Sequence, residues 1–481
     1  MKYFKSVCAV LLTLAMNQAA AQTQEDIFKS MLPWKALNCS HPLANDESVD
    51  PGKRWTELYA DAAWNALKQE WKKDNYGQKS GLNFTNFASS KFFGGPPGMS
   101  CGYQSVDTGC EGTRVECNDD DAPGGILILN SFMAVNQIFK NVYGALSGVS
   151  DSIDADMGVF SSTFAAIPDN NKDLKMLTNI LAMGLSVFLS PVWNTILKPK
   201  FPAVGGVDKF GAVKDASNAM ISSTVTMIKD GSLSSAAQNA LNSLSSVFGE
   251  TIDLWSTSIE SASTDLLRIT DDAAFERLSV WIDEGRALSI DPQLSNTELK
   301  KQIKRAIYPS LIAEAWRLRS TKTNAWVANT GHLCTYPYER APLRLPSGWE
   351  KAGTCIDGKW YQLLSTNGDD QRCWQSSKNT HFYICNQIAV PPGLDSIKSG
   401  RWGELTVDDL IRSAVTGYHL SGDKNTKEAY VPSTKDDIAK MGTNSIQNSG
   451  VMHIPVCSYQ EGIHNMEKGD GKQANPNYPC N

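Results

Sequence analysis

The sequence predicts a mainly α protein. A long-helix bundle in the middle is flanked by a disulfide-tied N-terminal segment and a small disulfide-rich C-terminal module, α+β or irregular. Three observations predict it. Apolar residues repeat at alternating spacings of four and three through the middle, the mark of helices packed along a seam. No cysteine lies between Asn118 and Leu333, whereas cysteines cluster on both sides. The outer segments are rich in Gly, Pro and aromatic residues, which break helices and favour turns and short strands.

In order, the domains read as residues 1–21, a leader; 22–121, an N-terminal segment; 122–325, the cysteine-free helical domain; and 326–481, the C-terminal module. The leader is MKYFKSVCAVLLTLAMNQAAAQ. Lys2 and Lys5 precede an apolar run from Val7 to Met16, and Ala19 to Ala21 form a small-residue cleavage site. That pattern is a secretory signal peptide and implies an extracellular, oxidising destination. Its removal takes Cys8 and leaves an even set. Cys39, Cys101, Cys110 and Cys117 lie early; Cys334, Cys355, Cys373, Cys385, Cys457 and Cys480 lie late. Each set is even, so each can close on itself, although spacing does not give the pairing. Zinc binding is the competing reading, but there is no C-x-x-C pair and no metal or cofactor is expected.

Within 22–121 a helix is expected over residues 55–75, where Leu58, Ala62, Leu67 and Trp71 share one side. Asn38-Cys39-Ser40 and Asn83-Phe84-Thr85 are glycosylation sequons and place Asn38 and Asn83 at the surface. The Asn118 to Asp121 acidic run suits the start of a helix better than a calcium loop, since it lacks the spacing of one.

The middle begins with the most regular segment. Ile128, Phe132, Val135, Phe139, Val142, Leu146, Val149 and Ile153 form one seam, continued after an extra step by Met157, Phe160, Phe164 and Ile167. An unbroken helix there would span about 60 Å. Gly144, Gly148 and Gly158 are its candidate breaks. Met176 to Leu197 follows, 22 residues without a charge. Thr178, Asn179 and Pro191 make it a poor membrane span, and a buried helix is the simpler reading. Leu181, Leu185, Phe188, Leu189 and Trp193 are its core-forming or membrane-facing residues. A second long helix begins near Ser234 and carries Leu244, Phe248, Ile252, Trp255, Ile259 and Leu266. Helices over Ala273–Leu288 and Thr297–Arg319 complete the middle, the latter basic, with its charges expected in solvent.

In the C-terminal module, Lys359–Leu364 and His381–Ile388 read as short strands. Thr406–Ala414 reads as a helix with Thr406 as its N-cap.

The chain contains no G-x-S-x-G, H-E-x-x-H, P-loop or G-x-G-x-x-G. The candidate catalytic residues are His332, His381 and His453, each within four residues of a cysteine. The competing reading makes them ordinary packing histidines. Asp369-Asp370 and Asp408-Asp409 are adjacent carboxylates, the wrong spacing for a pair that must flank a sugar. Trp349, Trp360, Tyr361 and Trp374 are candidate sugar-stacking residues, or else the small core of the module. The net charge of −6 argues against nucleic acid as a partner.

FFGGPPGMSCGYQSVDTGCEGTRVEC, followed by PGGILILNSF, resembles secreted fungal proteins of unknown function. The ending GVMHIPVCSY with Cys480 last but one is similar to fungal secreted tails. The resemblance implies secretion and disulfides and carries no activity.

The leading expectation is therefore a secreted, non-enzymatic interaction protein, effector- or toxin-like, whose helical domain meets membrane lipid, a protein partner or a second copy through its long helices. The alternatives are a cell-wall protein that binds polysaccharide, and a polymer-degrading hydrolase or lyase with its site in the C-terminal module.

Overall fold

The computed structural model describes residues 33–106, 108–110, 114–119, 121–164, 244–289, 296–318, 324–335, 349–366, 373–375, 383–385, 388–426, 446–450, 452–468 and 477–480. Met176–Leu197, His381, Asp369-Asp370 and the leader lie outside them. The class is as expected: mainly α, with disulfides near both ends and a small sheet toward the C-terminus. The chain divides into two compact units. One holds residues 1–141, 200–213 and 260–293, and the other 142–199, 214–259 and 294–481.

In the first unit the helix expected over 55–75 is two helices, α1 (Pro51–Glu57) and α2 (Ala60–Lys73). The break falls at Leu58 and Tyr59, where Tyr59 takes a left-handed φ of 53°. Apolar spacing runs on across this turn, so periodicity alone hides it. The core is aromatic. Trp64, Phe84, Phe132 and Phe275 meet edge-on or tilted at 5.5–6.0 Å between centroids, a favourable geometry for ring quadrupoles. The indole nitrogens are anchored as well: Trp64 donates to Ser279 Oγ at 2.8 Å and Trp71 to the Ile269 carbonyl at 2.9 Å. Cys39–Cys117 and Cys101–Cys110 tie the loops around this core.

Helix α3 runs from Pro123 to Thr163 without a break, 41 residues. Gly144 and Gly158 face open space and are tolerated there, while Gly148 gives room to the Lys300 side chain. At its start Gly124 and Gly125 permit close approach. A Cβ on them would come within 2.5 Å of the Leu58 carbonyl and 2.3 Å of the Phe93 ring. The seam residues Ile128 through Ile153, and then Phe160 and Phe164, are buried within a single chain. They offer no apolar face to a second copy. Helix α4 (Leu244–Leu267) likewise buries Phe248, Ile252, Trp255, Ile259 and Leu266. Helix α5 (Asp272–Ile282) is capped by Asp271 and gives way to a kinked turn, Asp283–Ser289, with left-handed Glu284 and Gly285.

Helix α6 (Asn296–Leu318) belongs to the second unit. Its charges are largely paired, contrary to the solvated face expected of them. Lys304 reaches Asp156 at 3.2 Å, Arg305 reaches Asp409 at 2.8 Å and Arg317 reaches Glu314 at 2.6 Å. Two of these partners lie on distant segments, out of reach of any local reading.

The rest of the second unit is a small layered module. Its strands are β1 (Ala325–Leu333), β2 (Gly353–Ile356), β3 (Lys359–Thr366), β4 (Cys373–Gln375), β5 (Tyr383–Cys385), β6 (Ile388–Ala389) and β7 (Val456–Ser458). The main sheet has the order β2-β3-β1-β7, with β6 on the end of β3; β1 and β7 are parallel and the other pairs antiparallel. Strands β4 and β5 form a separate ribbon in which the backbones of Cys373 and Cys385 are register partners. Side chains alternate along a strand. One face presents Trp326, Ala328, Leu364 and Cys457. On it pack Ile463 and Met466 of helix α8 (Tyr459–Lys468), closed by Tyr478 and the Cys457–Cys480 disulfide. The other face presents Val327, Asn329, Tyr361, Leu363, Val456 and Ser458 to helix α7 (Val407–Leu420). Cys334–Cys355 ties the far end of β1 to β2.

Candidate functional site

Helix α7 is positioned at both ends by local chemistry. At its start Thr406 and Asp409 form a reciprocal capping box: Asp409 N donates to Thr406 Oγ1 at 3.1 Å and Thr406 N donates to Asp409 Oδ2 at 2.9 Å. The Asp408-Asp409 pair does more than cap. Arg305 Nη2 donates to both oxygens of the fully buried Asp409 at 2.8 Å. Gln447 Nε2 reaches Asp408 at 3.0 Å and Asp409 at 2.9 Å. Arg412 Nε donates to both oxygens of Asp408 at 2.9 Å, and Thr354 Oγ1 donates to it as well. These carboxylates fasten α7 to α6 and β2; their lone pairs are spent on structure.

At its C-terminal end α7 continues to Leu420, past the Ala414 that sequence suggested. Gly422, at φ 71°, reverses the chain. Gly422 N donates to the His419 carbonyl at 3.0 Å and Asp423 N to the Tyr418 carbonyl at 3.1 Å. This is a Schellman motif, and glycine is the residue that takes its left-handed position without strain. The reversal lays Asp423 back on the helix, where its Oδ1 meets His419 Nδ1 at 2.5 Å.

A cleft of about 280 Å³ opens beside this end. Its floor is one cross-strand row. Tyr361 on β3 is the register partner of Asn329 on β1, which is the register partner of Ser458 on β7. A phenol, a carboxamide and a hydroxyl therefore stand side by side at strand spacing, about 4.8 Å. Asn329 Nδ2 donates to the Tyr361 oxygen at 3.4 Å. Val415, Tyr418, His419 and Asp423 make the helix wall, and Lys359 stands at the rim. Burial first, then the Asp357 and Asp423 carboxylates, and Tyr418 once it is itself ionised, push the Tyr361 phenol up. Burial, Asp423 and Glu461 do the same to Tyr418. Both phenols are therefore neutral hydrogen-bonding groups at neutral pH.

Behind Tyr418 a slot large enough for one water reaches His453. His453 Nε2 lies 3.0 Å from the Thr426 carbonyl, and its Nδ1 lies 3.6 Å from Glu314 Oε1. The second distance suits a charge contact and is too long for a hydrogen bond. Burial of Glu314 raises its carboxyl, but His453 and Arg317 outweigh it and hold the group below the usual carboxylate range.

The three candidate histidines are not drawn together by the described residues. His332 lies on β1 beyond the bulge that follows Asn329, whereas His453 precedes the segment of β7 that pairs with Val327. They sit toward opposite ends of β1, and His381 lies outside the described residues. Of the four aromatic candidates, Tyr361 is in the cleft. Trp360 alternates to the other face and lies against Gly353. Trp349 sits in a short turn whose carbonyl accepts from Gln362, and the Trp374 side chain is outside the description. Asn83 is exposed and caps the turn that follows it, its Oδ1 accepting from Asn86 N at 2.8 Å; the Asn38 carboxamide accepts from Ser40 N at 3.2 Å beside the Cys39 disulfide. Sequence reading missed Tyr418, Asn329, Ser458 and the His419–Asp423 pair. The local signal for the last was YHLSGD, a helix-end glycine with His and Asp four apart.

No family model matches the chain. It is similar to two curated proteins of Penicillium expansum. One is named "Probable chitinase LysM18", 23% identical over 487 residues, covering 93% of this chain and 33% of the relative. The other is named "Secreted chitinase LysM12", 23% identical over 501 residues, covering 93% of this chain and 32% of the relative. The chain thus spans about a third of the length of the curated relatives it matches. No solved structure matches. The likeness to fungal secreted proteins stands at this level, without a family assignment.

Proposed function

We propose that the chain is a polysaccharide-binding part of a secreted cell-wall protein, and that it takes a chitin-type polymer into the cleft between α7 and the sheet. The observation that carries this reading is the polar row Tyr361–Asn329–Ser458 facing Tyr418 across an open cleft. A sugar ring has apolar C–H faces and a rim of hydroxyls. A tyrosine face suits the first, and fixed amide, phenol and hydroxyl groups suit the second. The names of the two relatives point to chitin among such polymers, and the signal-peptide pattern of residues 1–21 points to secretion.

Binding suits the cleft better than cleavage. Glycoside hydrolysis calls for two carboxyl groups about 5–10 Å apart across the bond. Among the described residues lining the cleft Asp423 is the one carboxylate, and it is committed to His419. The membrane-active reading rests on Met176–Leu197, which lies outside the described residues and is not tested by them. No helix among the described residues is long and apolar enough to cross a membrane.

Co-sedimentation with insoluble chitin and with β-glucan tests the proposal. Wild type is expected in the chitin pellet, and Tyr418→Ala in the supernatant. A wild-type protein that stays in solution with both polymers would remove the reading.

A further inference from the structure

We infer that the cleft selects amino-sugar units bearing a free ammonium group, as in partly deacetylated chitin, over fully acetylated units; this rests on the polysaccharide reading above. Three features of the cleft make the preference. The C-terminal end of α7 opens onto it, and the peptide dipoles of a helix place negative potential at that end. The Schellman reversal adds a carboxylate at the same place, because it folds Asp423 back beside His419. Tyr418 and the largely buried Tyr361 line the same cleft, and an aromatic ring attracts an ammonium through its quadrupole.

The charges around the cleft agree. Burial is the main cause of the raised Tyr361 and Tyr418 phenols, and Asp357, Asp423 and Glu461 lie near enough to add to it. The opposing groups are His419, which pairs with Asp423 and is positive when protonated, Lys359 at the rim, and Lys424, which lines the slot behind Tyr418. Both lysines are exposed, so their ammonium groups extend into water on flexible stems. Asp423 is also exposed, but on a shorter stem, and the helix-end turn and His419 hold it beside the last turn of α7. A bound ammonium therefore meets the helix end and the held Asp423 carboxylate, with the lysine ammonium groups free to swing away, and this favours the cation when His419 is neutral. An acetyl group on the same nitrogen removes the charge and leaves the helix end and Asp423 only a neutral N–H donor, which is the weaker partner.

The test compares soluble oligomers of N-acetylglucosamine and of glucosamine, equal in length, by titration calorimetry at low and high salt. The glucosamine oligomer is expected to bind about threefold to tenfold tighter at low salt. That advantage should shrink as salt screens it, and it should vanish in Asp423→Asn. Asp395→Asn, at an exposed carboxylate outside the cleft lining, should keep it, and thermal unfolding of each variant checks that the fold is intact. Equal affinity, or tighter binding of the acetylated oligomer, would overturn the inference and leave polysaccharide binding standing. Binding of neither oligomer would overturn both.

Discussion

The two faces of the small sheet are built from the same strands and do opposite things. The face toward α8 is dry. Trp326, Ala328 and Leu364 meet Ile463, Met466 and Tyr478, and a disulfide closes the packing. The face toward α7 begins the same way, with Val327 and Leu363 buried, but α7 ends at Leu420, and beside its last turns the polar row lines an open cleft. Helix length and one glycine decide the difference: where the helix stops, the sheet face changes from buried core to open cleft. Stability should therefore reside on one face and ligand binding on the open end of the other.

The largest expected effect is on the closed face. Trp326 is fully buried and its ring lies against Gly462. Trp326→Ala should cost about 3–5 kcal/mol in chemical denaturation, while the protein that remains folded keeps its affinity for chitin. Arg305→Ala is expected to cost nearly as much, about 3 kcal/mol, because it leaves the buried Asp409 carboxylate without its guanidinium. It should also weaken chitin binding, since α7 loses its anchor. A loss of stability with unchanged binding would separate the anchor from the cleft.

A smaller effect lies in the other unit and serves as a control on pH. Burial pushes the Asp283 carboxyl up to about 6. The raised value means that stability is fully present below the unfolded value of 3.8 and is lost as pH rises through about 6. Asp283→Asn should therefore stabilise the protein at pH 7 by about 2 kcal/mol, discounted for partial exposure. It should gain little in strong acid, and it should leave chitin binding alone. Glu314 has the opposite sign. Its depressed carboxyl contributes stability above its ordinary value of 4.5, which is lost as pH falls through the folded value. Glu314→Gln should flatten the acid limb of the stability profile that Asp283→Asn leaves in place. The smallest stability effect is expected of Tyr418→Ala, under about 1 kcal/mol for a half-exposed ring, with the largest effect on binding.

Much of the fold was legible because its signals are local. The apolar seam marked α3, Thr406 marked the start of α7, and even cysteine sets marked the tied ends. Local reading failed where geometry changes without a change in pattern, as at Tyr59, and where partners are remote, as for Arg305 and Asp409. The site was harder for the same reason. Tyr361, Asn329 and Ser458 come together only through strand register, and neither parallel pairing nor register is written in any one segment. Tyr361 was visible as one aromatic among four; nothing local told it from Trp360, its neighbour on the opposite face.

The most direct measurement is a pair of chitin-binding isotherms, each run beside a thermal unfolding curve. Tyr418→Ala alters the open face, and Tyr459→Ala the closed one, where the buried Tyr459 ring lies 6.2 Å from that of Trp326. Tyr418→Ala should lose at least about tenfold in affinity with its melting temperature unchanged, and Tyr459→Ala should lose melting temperature and keep its affinity. Wild-type affinity in a folded Tyr418→Ala protein would contradict the assignment of binding to the open end of the α7 face.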